Sequence, residues 1–364
     1  MREKKRIIGV GFISIGILFL LVSFFKLFPL SVPFSSPSIS DKTGNPQISV
    51  FVEKDQLPPF ESIFSYVSPY EKKEQKAGEY VLITTGDVLP ARTVNSMMVK
   101  RNDFTFPFEK TSSFLKSADI TFINLETPLL SSCQPTDEGM IFCGSAKAVE
   151  GLTFSGVDVV NLANNHSGNY GYEGGIETQK YLTENGMHVV GVGNEATLEV
   201  RGKSFGFLGF NDIGHEEKGI SWAENTSVEE QIQKLRKKVE FVIVAFHFGP
   251  EYTVEPSSRQ VELAHLAIDS GADLIIGNHP HWVQGVEVYK EKFISYAHGN
   301  FIFDQMWSKE TREGVIGRYT FGKSGLKNIE FFPIIIENYS QPRFAERDEA
   351  EKILGKMKES SKDL

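Results

Sequence analysis

Short apolar runs that each stop on a polar, chemistry-bearing residue constrain this chain more than any other feature. Tyr80-Val81-Leu82-Ile83-Thr84-Thr85 runs into Gly86-Asp87, and residues 119–123 run into Asn124-Leu125-Glu126. Residues 157–162 end in Ala163-Asn164-Asn165-His166, and residues 240–246 end in His247. Residues 272–276 lead through Gly277-Asn278 to His279-Pro280-His281. Runs of this length, rich in β-branched and aromatic residues and bounded by turn formers, read as buried strands. Segments with helical spacing separate them: 174–185, 227–238 with Ser227 and Glu230 in a capping-box pattern, and 257–270. Hairpin patterns follow, pairing 285–289 with 292–296 and 318–321 with 326–336. Strands alternating with helices, then hairpins, predict layered α/β with a mixed sheet or two packed sheets.

The strand ends matter as a set. Asp87, Glu126, Asn165 with His166, His247, and His279 with His281 would lie along one edge of a sheet, where ligands and metals collect in open α/β folds. Carboxylates, imidazoles and a side-chain amide oxygen suit a divalent ion such as Mn, Fe or Zn. The donors suffice for one or two ions, and a pair of ions can hold a phosphate. Each residue alone has a plainer reading. Asp87 fits a turn, Asn164 and Asn165 fit helix caps, Glu126 fits an ion pair with Arg92, and His247 fits a satisfied strand-end histidine. Five coincident strand ends decide for a metal or anion site. His188 and His265 read as structural, His215 is open, and His298 is not a primary ligand.

The N-terminus bears on location. Arg2, Lys4, Lys5 and Arg6 precede an uncharged run over 7–25 that Lys26 closes. This predicts a single-pass signal anchor in the cell membrane, with residues 1–6 cytoplasmic and the rest extracytoplasmic. A cleaved signal peptide is the alternative. Residues 26–78, rich in proline and serine, read as a linker, 79–340 as the folded domain, and 341–364 as an amphipathic helix and tail. A net charge of −9 with no later basic stretch excludes nucleic acid as a partner. Cys133 and Cys143 flank a polar stretch, and in an oxidising compartment they can pair as a disulfide. A cytoplasmic location would leave two free thiols.

At six ordered motifs the chain resembles the CapA family of capsule or poly-γ-glutamate biosynthesis. The motifs are Gly86-Asp87 with Arg92; Asn124-Leu125-Glu126-Thr127-Pro128; Leu162-Ala163-Asn164-Asn165-His166-Ser167; His247-Phe248-Gly249-Pro250-Glu251-Tyr252; Gly277-Asn278-His279-Pro280-His281; and Gly299-Asn300-Phe301-Ile302-Phe303-Asp304-Gln305. The resemblance implies the four-layer αββα sandwich of the calcineurin-like metallophosphatases. It implies metal ligands at Asp87, Glu126 (bridging), Asn165, His247, His279 and His281, with Asn164 the alternative for the amide. It makes His166 the general acid or electrostatic partner, Arg92 its companion in offsetting charge, and Asn164, Glu251 and Asn300 substrate contacts. Two departures stand out. Val88-Leu89 follows Asp87 where the wider superfamily has Asp-x-His, and Glu126 stands where aspartate is usual. The resemblance therefore supports two functions. One is a membrane-anchored hydrolase acting on a phosphoester or an anionic polymer. The other is a non-catalytic accessory protein that grips such a polymer, alongside a polymer synthase or export complex.

Overall fold

The computed structural model describes residues 55–71 and 74–364, which fall within one unit, Val52–Leu364. The expected membrane anchor and most of the linker lie outside the described residues. Among the described residues, no helix is long and apolar enough to cross a membrane.

In chain order the first half comprises β1 (Tyr80–Val88), α1 (Arg92–Arg101), α2 (Ser112–Leu115), β2 (Ile120–Leu125), β3 (Leu129–Leu130), β4 (Gly144–Ser145), α3 (Val149–Phe154), β5 (Val159–Asn161), α4 (Gly171–Glu184), β6 (His188–Val190) and β7 (Ala196–Val200). There follow β8 (Lys203–Asn211), α5 (Asn225–Arg236), β9 (Phe241–His247), α6 (Ser258–Asp269), β10 (Leu274–Asn278), β11 (Val286–Tyr289) and β12 (Lys292–Ser295). The chain closes with β13 (Asn300–Ile302), β14 (Glu313–Phe321), β15 (Leu326–Glu337), β16 (Gln341–Phe344) and α7 (Arg347–Glu359).

The strands form two large sheets. The first runs β16-β15-β14-β1-β2-β5-β6, with β13 also paired to β1. In it β1, β2, β5 and β6 are parallel, and β14 to β16 form the antiparallel half. The second sheet runs β11-β12-β10-β9-β8-β7, parallel from β8 through β12 and edged by antiparallel β7 and β11.

Three apolar layers hold these sheets. Because successive strand residues face opposite ways, Val81 and Ile83 of β1 pack with Val94, Met98, Leu152 and Leu182 from α1, α3 and α4. Tyr80 and Leu82 instead face Phe205, Phe207 and Ile243 across the gap between sheets, where Ile276 and Phe293 also lie. The far side of the second sheet, with Val242, Val244 and Phe246, packs on Val228, Ile232, Leu263 and Ala267 of α5 and α6. The order is therefore helix, sheet, sheet, helix.

Local outcomes depart from expectation in three places. α5 begins two residues earlier than its expected start and is capped by Glu224, whose carboxylate accepts the Ser227 N–H at 2.9 Å; Ser227 is thus inside the helix and not its cap. The later part of the expected linker is part of the packing, since Ile63 is buried and Leu57, Phe60, Phe64 and Tyr66 pack on the inter-sheet core. The tail contributes β16 to the first sheet, and Ala350, Ile353, Leu354 and Met357 of α7 join that same core.

This architecture aligns two polar rows. Across the first sheet Asp87 is in register with Asn124 and with Asn300, and Asn124 with Asn161. Across the second, His247 is in register with Asn211 and Asn278. Apart from Asn300, which opens β13, both rows lie at the carboxyl ends of parallel strands, and they meet where the Asn124 amide nitrogen lies 3.3 Å from His247 Nδ1. Close backbone approach explains two glycines beside the rows. A Cβ at Gly86 would stand 2.1 Å from the Gly299 carbonyl oxygen, and one at Gly277 would stand 1.9 Å from that of Tyr296.

Candidate metal centre

Asp87 is the penultimate residue of β1, with its carboxylate fully buried. Its Oδ1 accepts the Asn124 amide at 2.8 Å, its Oδ2 accepts the backbone N–H of His279 at 3.2 Å, and His281 Nδ1 lies 3.3 Å from Oδ2. Glu126 follows β2 and is also fully buried, yet neither of its carboxylate oxygens has a hydrogen-bond partner. Around Glu126 Oε1 stand three imidazole nitrogens: His281 Nε2 at 3.8 Å, His247 Nε2 at 3.9 Å and His166 Nε2 at 4.0 Å. These separations are too long for hydrogen bonds. They leave room for an ion among the donors.

Two overlapping, wholly buried donor sets result. Asp87, Glu126 and His281 have ligand atoms within 4.8 Å of one another, as do Glu126, His247 and His279. Asn165 joins the second set, with its Oδ1 2.8 Å from His247 Nε2, which is itself 3.1 Å from His279 Nδ1. Glu126 is common to both sets, as a bridging ligand would be.

The electrostatics fit ion binding. Burial pushes the Glu126 carboxyl well above the ordinary carboxylate value, and the negative charges of Asp87 and Glu251 push it further, with Arg92 opposing. Burial holds His247 and His279 well below the usual histidine range, and the neighbouring imidazoles add to this. Neutral imidazole is the form that ligates a metal, so these rings need lose no proton to do so. An orphaned buried carboxylate costs several kcal/mol unless a positive charge arrives, and a divalent ion supplies that charge. The donor set thus fits a divalent ion.

Strain marks the same place. His279 has φ +97°, His281 +59°, Tyr252 +59° and Arg92 +43°. Left-handed conformations at such residues cost of order 1–3 kcal/mol each and persist where the surroundings over-determine them.

The remaining expected residues sort as follows. His166, pushed down to about 4 chiefly by burial, stacks on Phe142 at 4.0 Å, and its Nδ1 lies 3.1 Å from Asn169 Oδ1. That oxygen also accepts the Phe142 backbone N–H at 2.7 Å, so the neutral ring carries its proton on Nδ1 and turns a bare Nε2 toward Glu126. Arg92 is buried between Phe142 and Phe303 and ion-paired with Asp304 rather than with Glu126. Cys133 and Cys143 form a disulfide that closes the loop carrying Phe142. Glu251 stands exposed at the mouth, with a carboxylate oxygen within 4.8 Å of ligand atoms on His279 and His281.

Two residues expected to touch substrate are buried, with their amide groups engaged within the fold. Asn164 is buried; its Oδ1 accepts the N–H groups of His166 and Ser167, and its amide donates to the Leu125 carbonyl, so it shapes the turn. Asn300 is buried behind His281, with its Oδ1 3.0 Å from His281 Nδ1 while its amide donates to Gln305 and the Thr311 carbonyl. It orients the His281 ring. His298 is engaged elsewhere, between Thr84 Oγ1 and the Tyr319 hydroxyl.

Asn124, Asn169, Phe142 and Asp304 were not among the expected site residues. Asn124 stands two residues before Glu126 at the end of the same run, and its place in that motif was the available signal. Asp304 likewise lies near the end of a motif. Nothing local in the sequence marks Asn169 or Phe142.

Fold and site together define a protein of layered α/β class with a candidate metal centre at the shared carboxyl edge of two sheets. The chain belongs to the bacterial capsule synthesis protein family PGA_cap, whose sequence profile matches residues 81–305. It is 32% identical over 296 residues to the capsule biosynthesis protein CapA of Bacillus anthracis, covering 75% of this chain and 71% of that protein. It is 29% identical over 270 residues to the PGA biosynthesis protein CapA of Bacillus subtilis, covering 69% and 70%. The crystal structure of a phosphatase from Mycoplasma pneumoniae aligns over 72% of this chain and 95% of its own, at 13% identity and a TM-score of 0.49, a likeness too slight to carry an inference.

Proposed function

We propose that this protein is a membrane-anchored, extracytoplasmic, metal-dependent hydrolase of phosphoesterase type, acting in the synthesis of a capsular or envelope polymer of the poly-γ-glutamate kind. One observation carries the reading: a fully buried carboxylate with no partner, Glu126, ringed by imidazole nitrogens from three separate strand ends. Family membership supports the polymer context, and the disulfide together with the basic-flanked apolar run at 7–25 supports the location.

Divalent ions bound there would supply Lewis acidity toward a phosphoryl oxygen. Asp87, Glu126 and His281 would hold one, and Glu126, Asn165, His247 and His279 the other. His166 presents Nε2 to the pocket, where it can accept a proton and return it to a leaving group. Phe142 and the disulfide loop cover that ring and exclude water from one side. Arg92 contributes positive potential from behind, held in place by Asp304.

A second reading, a non-catalytic accessory protein gripping an anionic polymer, is favoured by one feature. Leu89 occupies the place of the missing first-motif histidine and is buried in the core, which leaves one ion position short of a donor.

The test uses the purified full chain. Bound metal is measured, then turnover of nitrophenyl phosphate mono- and diesters with added Mn(II). Hydrolysis that His166→Ala reduces about a hundredfold, without loss of metal, supports the enzyme. Full metal occupancy with no turnover on these or on polyglutamate overturns it in favour of the accessory role.

A further inference from the structure

The two ion positions are unequally furnished. The second has Glu126, His247, His279 and the Asn165 oxygen close at hand. The first has Asp87, Glu126 and His281 alone, because Leu89 is an apolar core residue with no lone pair to give. Three protein donors are the complement of an ion with open positions, and a fourth would change both its affinity and its preference.

Glu251 is the candidate for that fourth donor: it reaches the first position through His281, with which it shares a donor set, and not through Asp87 or Glu126. Its carboxylate shares a 4.8 Å cluster with His279 and His281, one imidazole from each position, so it lies at the mouth between them. Its loop is fixed to the histidine turn itself. The Tyr252 N–H donates to the Pro280 carbonyl at 2.8 Å, within the His279-Pro280-His281 segment. The Gln284 amide donates to the carbonyls of Thr253 and Glu255, while its own oxygen accepts from Gln260 at 2.8 Å. Tyr252 is held at φ +59° in consequence. The backbone around Glu251 therefore moves with the rings it approaches, whereas an ordinary exposed loop glutamate would be free of them.

We propose that Glu251 is a protein ligand of the first ion and replaces the imidazole that the chain lacks. The first position then has three carboxylates and one imidazole, against one carboxylate, one amide and two imidazoles at the second. Oxygen-rich sets favour harder ions such as Mn(II), and imidazole suits Zn(II). The first position should hold Mn(II) relatively better against Zn(II) than the second does. This rests on the metal-centre reading.

The experiment titrates chelator-stripped full chain with Mn(II), followed by calorimetry and by electron paramagnetic resonance, for wild type, Glu251→Gln, Glu251→Asp and His247→Ala. Wild type should bind two ions and give the spin-coupled spectrum of a close pair when loaded. Glu251→Gln should keep one ion at wild-type affinity, weaken the other at least tenfold and lose the coupled signal at two equivalents. Glu251→Asp should recover part of that affinity. His247→Ala should lose the other ion. Two ions bound by Glu251→Gln with unchanged affinities would overturn the assignment while leaving the metal centre intact. Binding of a single ion by wild type would overturn the assignment alone, and binding of none would overturn the metal centre as well.

Discussion

Replacing Glu126 by Gln in the metal-free protein probes the charge balance on which the centre depends. The Glu126 carboxyl is fully buried, without partners, and its pKa is held well above 4.5 by burial and by Asp87 and Glu251. A group with a raised folded pKa binds its proton more tightly in the folded chain than in the unfolded one. The folded state therefore loses stability as pH climbs from the unfolded value toward the folded one. At about 1.4 kcal/mol per pH unit, the loss between 4.5 and neutral pH is bounded at about 3 to 4 kcal/mol. Glutamine keeps the shape and cannot ionise, so it removes this loss. Its own buried amide costs about 1 kcal/mol at every pH. In chelator, the variant should be slightly less stable than wild type at pH 4.5 and more stable at pH 7. A folded unit of this size shifts its melting point by about 1.5 °C per kcal/mol. The difference between the two proteins should thus move by up to about 5 °C between those pH values in thermal melts. Added Mn(II) should then raise the wild-type melting point and leave the variant's unchanged. The reasoning fails if the difference is the same at both pH values, or if the variant loses ground as pH rises.

Two further outcomes follow from the neighbours of the centre. Asn300→Ala removes the nearer of the two oxygens beside His281 Nδ1, leaving that of Asp87 at 3.3 Å, and should weaken Mn(II) binding about 10- to 100-fold, read by competition with a chelating dye; unchanged affinity would show that the contact orients nothing. Cys143→Ser opens the loop that carries Phe142 and should cost about 2–4 kcal/mol and expose the 134–142 segment to thermolysin, with metal content unaltered. Loss of metal in that variant would mean the loop supports the ligands as well as His166.

Much of the site was legible because its chemistry sits at the ends of strands, and strand ends are visible as breaks in apolar runs. Asp87, Glu126, His247, His279 and His281 each follow such a run, and parallel pairing carries them to one edge. The roles of amides were not legible, since an amide's role depends on what lies opposite it. Asn164 and Asn165 are adjacent, yet one closes its own turn and the other reaches His247 across 82 positions of sequence. The resemblance made Asn300 a substrate contact, but β13 pairing beside β1 sets it behind His281. The inner part of the linker was missed for another reason. Leu57 to Tyr66 is too short and proline-rich to show periodicity, and its apolar side chains acquire meaning only against β15 and α7.

Anomalous diffraction from crystals grown with Mn(II) tests the central claim most directly. The account predicts two peaks per chain, one among Asp87, Glu126 and His281 and one among Glu126, Asn165, His247 and His279, with Glu126 touching both. Density confined to other carboxylates, or crystals that take up no manganese while these donors keep their present positions, would contradict it.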